Sequence, residues 1–267
     1  MNIVRLSLVV VVASGIGVTA QPPSNTESAI SADRPGFATP PGVLGPGLLQ
    51  IEGGVTVSVD TSGDRRERTL TFGSPLIRIG LGRSVELRVA GDGFLSRSTD
   101  GVSRDTNGWS DLAVGAKLAL VHEGRIVPAI SLLPSISVPT GGRTFTSSTY
   151  DPSLAVAGLK TLPAGLSLVG TLSGASISEE RVRHARYTSA IALWFPAPAR
   201  SAGYIEMYAV TSAGPGSTSS RIYDAGLTHN FGSNLQIDIE AGRRMYAGAP
   251  CWFVAAGFAL RHALFRR

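Results

Sequence analysis

The 267-residue sequence predicts an all-β fold, an antiparallel transmembrane β-barrel of about twelve strands. Three observations predict it. Apolar and polar residues alternate with period two over most of the chain, as strands with one apolar and one polar face require. Charged residues make up only 16% against the usual quarter, with 32 glycines, yet no apolar run beyond the leader is long enough for a helical membrane span. Short turns and longer polar loops also alternate along the chain, the rhythm of barrels with tight turns at one end and loops at the other.

Residues 1–20 have the form of a cleaved export signal. Arg5 supplies the positive start, Leu6 to Gly17 form a short apolar stretch, and Val18-Thr19-Ala20 place small residues at the cleavage positions. Residues 21–47 form a Pro/Gly-rich segment with Asp33-Arg34-Pro35-Gly36-Phe37, Pro40-Pro41-Gly42 and Gly45-Pro46-Gly47. Proline keeps this segment out of the sheet interior. It either enters the barrel as a plug or remains a periplasmic tail; Phe37, Val43 and Leu44 favour partial insertion, because a tail would expose them.

The barrel is expected over residues 48–267. Its clearest strand sets Leu49, Ile51, Val55, Val57 and Val59 against Gln50, Glu52, Thr56, Ser58 and Asp60. Similar alternation occurs at 85–92, 111–120 and 235–242. Weaker strands are expected near 67–81, 126–138, 152–161, 166–175, 185–195, 202–211, 220–229 and 251–262. Short turns fall at Gly82-Arg83, at 122–125, 162–165, 196–200 and 230–234; longer loops are expected at 61–66, 95–109, 139–150, 176–184 and 212–219. An even strand count places both chain ends at the short-turn, periplasmic end. Phe72, Phe94, Trp109, Tyr187, Trp194, Phe195, Tyr204, Phe231, Tyr246 and Trp252 lie near strand ends, where two interfacial aromatic girdles belong.

The face opposite the apolar stripe supplies the candidate lumen residues: Glu52, Arg78, Glu86, Arg88, Asp111, Lys117, Glu206, Asp224, Asp238 and Glu240. Charges of both signs there either frame a narrow aqueous path or knit a plugged lumen with ion pairs. No catalytic, cofactor or metal site is expected: Gly-x-Ser-x-Gly, His-Glu-x-x-His and paired-Cys signatures are all missing, and Cys251 is the single cysteine. The net charge of +5 is scattered rather than clustered on one face, so nucleic acid is not an expected partner.

The stretch Ala32-Asp33-Arg34-Pro35-Gly36-Phe37, followed by Gly45 to Gly54, resembles the opening of the outer-membrane family associated with the meta-pathway of phenol degradation. Pro75 to Leu81, Val85-Glu86-Leu87-Arg88, Ser110 to Lys117 and Trp252 to Phe258 are similar in order. The resemblance implies an exported, non-enzymatic barrel in the Gram-negative outer membrane, with lipid around it and small hydrophobic or aromatic compounds as transported solutes. The alternatives are a structural or surface-interaction barrel without transport and, less favoured, a lipid hydrolase using Ser189 and His184.

Overall fold

The computed structural model describes residues 29–62, 64–102, 104–179, 182–212, 219–246 and 249–264. The expected signal segment lies outside them. Fourteen antiparallel segments form one sheet: β1 (Leu48–Ser62), β2 (Arg65–Gly80), β3 (Val85–Gly91), β4 (Gly93–Thr99), β5 (Thr106–Trp109), β6 (Leu112–Val121), β7 (Ala129–Val138), β8 (Asp151–Thr161), β9 (Ser167–Glu179), β10 (Val182–Ala197), β11 (Ser201–Ser212), β12 (Ser220–Phe231), β13 (Leu235–Tyr246) and β14 (Ala249–Ala263). β1 pairs with both β2 and β14, so the sheet closes into a barrel; among the described residues the four-residue β5, paired with β4 alone, keeps one side without a strand partner.

Fourteen segments occupy twelve strand positions. β2 pairs with β4 along its first half and with β3 along its second, while β4 pairs with β5 and β3 with β6. Thus β3–β4 is one barrel strand and β5–β6 another, each interrupted at the same height. The cause is local. Pro75 has no N–H to give the ladder, and the Ser110 hydroxyl instead accepts from the N–H groups of Asp92 and Gly93 at 3.0 and 3.1 Å. Gly93 turns through φ +85°, where a Cβ would strike the Phe72 carbonyl.

Outer and inner faces follow the period-two pattern. Along β12, Tyr223, Ala225 and Leu227 are exposed while Ile222, Asp224 and Thr228 are buried. Leu172, Ile205, Leu227, Ile239 and Val254 are among many large apolar side chains exposed on the outside. A continuous apolar outer band around a buried polar interior is the pattern of a barrel solvated by lipid.

Two sequence expectations need correction. Residues 95–109 are largely strand rather than loop, and β1–β2 and β9–β10 extend so far that the expected loops at 61–66 and 176–184 are largely strand as well. These extensions carry polar residues on both faces (Arg65-Arg66-Glu67-Arg68, for example), so hydrophobic alternation does not mark them. In the girdles, Phe72, Trp109, Tyr187, Phe195, Phe231 and Trp252 are exposed, but Trp194 and Tyr204 point inward and are almost fully buried. The Tyr246 side chain lies outside the described residues.

A charged and aromatic site inside the barrel

Ala29 to Leu44 run inside the barrel, and most of their side chains are buried. Asp33 and Arg34 are the only charged residues between 29 and 47. They dock in opposite senses.

The Asp33 carboxylate meets three cations from the wall: Arg78 at 3.0 Å, Arg88 at 2.5 Å and Lys117 at 2.8 Å. Its backbone N–H donates to Glu52 at 2.9 Å, and the Arg34 N–H adds a bond of 3.1 Å to the same carboxylate. Arg78 also clasps Glu86 at 2.8 and 2.9 Å, while Glu86 accepts from the Leu44 N–H at 2.6 Å. The buried Lys117 donates further to the carbonyls of Pro40 and Gly42. Three carboxylates (Asp33, Glu52 and Glu86) thus balance Arg78, Arg88 and Lys117. Pairing of this completeness offsets the cost of removing the charges from water.

Arg34 reaches the other way. Its guanidinium lies over the paired Gly54 and Gly257 of β1 and β14, where any Cβ would collide with it, and ends on Asp238 of β13. Gln236 donates to the Arg34 carbonyl at 3.1 Å.

Beyond Arg34 the chain is held through its own N–H groups. Gly36 donates to Glu240 at 2.7 Å, Phe37 and Ala38 both donate to Glu206 at 2.6 Å, and Thr39 exchanges bonds with Thr171. The Phe37 ring stacks on Tyr208 at 4.3 Å and meets Phe253 edge-on at 6.2 Å. Trp194 and Tyr204 form a second stack at 4.6 Å, and the Tyr204 hydroxyl donates to Glu240. Asp224 sits directly across from Glu206.

Eight of the ten residues singled out from the sequence therefore hold the inserted segment: Glu52, Arg78, Glu86, Arg88, Lys117, Glu206, Asp238 and Glu240; the buried Asp224 stands beside them, opposite Glu206. Asp111 does not join them. It sits between β5 and β6 and accepts from the N–H groups of Gly141 and Ser147, both at 2.8 Å, so it fastens the 139–150 loop. Sequence reasoning missed Asp33, Arg34, Thr171, Tyr204, Tyr208 and Phe253. Only the first two carried a signal, as an isolated charge pair in an otherwise uncharged Pro/Gly segment.

The candidate hydrolase residues fall apart. Ser189 and His184 lie on one strand five positions apart; another histidine, His229, is engaged by Ser201 through Nδ1 at 2.9 Å. Adjacent to His229 on the same face is Phe231, not a carboxylate that would orient the ring for base catalysis. Among the described residues no group of three or more His, Cys, Asp or Glu side chains is placed to hold a metal ion.

A family model described as "Putative MetA-pathway of phenol degradation" matches residues 32–262. Among solved structures, an outer membrane channel from Pseudomonas putida F1 aligns with a TM-score of 0.63 at 15% identity, over 82% of this chain and 97% of that one. The transport unit of the autotransporter AIDA-I from Escherichia coli aligns with a TM-score of 0.50 at 11% identity, over 80% and 89%. These likenesses establish the fold of outer-membrane barrels. No curated protein matches in sequence.

Proposed function

The chain belongs to this phenol-degradation family, and from that premise we propose that its barrel admits small hydrophobic or aromatic molecules through the outer membrane, with both chain ends on the periplasmic side. The observation that carries this reading is the aromatic slot inside the barrel. Phe37 occupies it between Tyr208 and Phe253, next to the Trp194–Tyr204 stack. Flat apolar surface at that position suits a ring-bearing solute better than an inorganic ion. The name of the similar Pseudomonas putida structure, an outer membrane channel, agrees with this reading.

The nine inward-facing charges serve in this reading as the wall of the passage and the seat of the inserted segment. A non-transporting, structural barrel draws support from the balanced ion pairs around Asp33, which favour a fixed plug. One experiment separates the two. Cells lacking the protein and cells expressing it are given radiolabelled toluene or p-cresol, and proteoliposomes are assayed for swelling in sugars. Faster aromatic uptake without sugar-driven swelling is expected; equal aromatic uptake in both cell types would sink the transport reading.

A further inference from the structure

The outer wall carries a basic patch that the passage does not use. At the end of the barrel opposite Leu48 of β1 and Ala263 of β14, pairing aligns one residue from each of five neighbouring strands: Arg68 opposite Val59, Val59 opposite Trp252, Trp252 opposite Arg243, and Arg243 opposite Tyr223. Two positions farther along, on the same outward face, stand Arg66 of β2 and Arg221 of β12. All four arginines are exposed. Other arginines near this end are engaged by carboxylates, Arg97 by Glu67, Arg183 by Asp151 and Arg244 by Asp60. Among the described residues, Arg66, Arg68, Arg221 and Arg243 make no ion pair.

The height of the patch indicates what it meets. Trp252 and Tyr223 are exposed in the same row, and such rings mark the level of lipid headgroups. Arginine at that level is suited to phosphate, which its planar fork engages with two parallel N–H donors. Arg68 and Arg243 stand three strand spacings apart, about 14 Å at the usual interstrand distance, which is wide enough to engage two phosphates separately.

Below the Arg221–Arg243 pair the wall is hollowed. Ala225 and Ala241 floor a groove of about 360 Å³ whose sides are Phe195, Ile205, Leu227, Ile239 and Val254. It runs down the apolar band from directly beneath the basic row. Headgroup charge and hydrocarbon groove are therefore stacked in the order in which a lipid presents its phosphate and its acyl chain.

We propose that this face is a specific docking site for a doubly phosphorylated glycolipid of the outer leaflet, with its phosphates on the two arginine pairs and one acyl chain in the groove. The site rests on placement in the outer membrane and is independent of transport through the lumen.

The test uses the full-length folded protein in detergent, with native mass spectrometry of retained lipid. The probes are lipid A with two phosphates, its monophosphoryl form, phosphatidylglycerol and phosphatidylcholine. Bisphosphoryl lipid A is expected to bind most tightly and to weaken as salt rises. Arg66→Gln/Arg68→Gln and Arg221→Gln/Arg243→Gln are each expected to weaken it by roughly tenfold or more, whereas Arg83→Gln/Arg125→Gln at the opposite end leaves it unchanged. Ala241→Leu, which fills the groove without touching a charge, is expected to weaken binding at every salt concentration. Folding of each variant is checked by heat-modifiable migration, and its aromatic uptake is measured alongside, so loss of lipid with intact uptake separates this site from the passage. Undiminished binding in both arginine pairs, or equal affinity for phosphatidylglycerol, would overturn the proposal.

Discussion

Arg34 and Asp238 lie 204 residues apart in sequence and are joined inside the barrel by hydrogen bonds of 2.9 and 3.0 Å. The pair is almost wholly buried. It ties a segment that precedes the first strand to the eleventh strand position, across the seam where the barrel closes.

Breaking one partner leaves a buried charge alone, at a cost of about 3–5 kcal/mol. Since the barrel ladders are untouched, that cost falls on the seating of the segment. Asp238→Asn is expected to raise single-channel conductance several-fold and to expose residues 29–44 to proteinase K. Arg34→Ala/Asp238→Ala removes both charges and is expected to be less protease-sensitive than Arg34→Ala alone.

Gly257 makes room for the same guanidinium. Gly257→Val is expected to reproduce the conductance rise of Asp238→Asn with Arg34 and Asp238 both intact, because the new side chain occupies the path of the arginine. Gly82→Ala, at a turn position with open space around it, is the matched control and is expected to behave as wild type. A silent Gly257→Val would show that Arg34 has another route to Asp238.

Asp111 holds the 139–150 loop through two backbone N–H groups. Asp111→Ala leaves both without their acceptor, a loss of about 1–3 kcal/mol for each donor that stays buried. Limited proteolysis is expected to cut that loop in the variant at protease concentrations that leave wild type whole, while heat-modifiable migration is retained.

The turn between β6 and β7 carries a pH dependence of its own. Burial works against the Glu123 carboxylate, but hydrogen bonds from Lys160 and Thr161 outweigh it and hold its pKa below the ordinary 4.5. A depressed carboxylate contributes stability that is complete above the ordinary value and is lost as pH falls through the lowered one. Amide exchange at Thr161 is therefore expected to be slow at neutral pH and to gain an acid-dependent acceleration beyond the intrinsic pH trend only below about pH 4.5. In Glu123→Gln that extra acceleration should vanish.

Much of the barrel was legible because lipid and interior impose opposite demands on successive residues. Leu235 to Glu240 show this plainly: Ile237 and Ile239 face out, while Gln236 and Asp238 face in. β4 and β5 escaped notice because both their faces are mixed in polarity there, and only pairing with β2 and with each other defines them. Trp194 and Tyr204 were misread as girdle residues for a related reason. An aromatic near a strand end satisfies either face, and its parity relative to Phe195 and Ile205 decides which.

Sequence alone thus determined the class of fold, the strand count and the side of the wall on which most charged residues stand, since these depend on local period and composition. Tertiary structure decided what the charges do. Asp33 is one acid in a Pro/Gly stretch until closure brings Arg78, Arg88 and Lys117 around it, and Phe37 is one apolar residue until Tyr208 and Phe253 form its slot. Such contacts span tens to hundreds of residues and depend on how the strands are staggered when the barrel closes. That stagger is a property of the whole sheet, which no local pattern encodes.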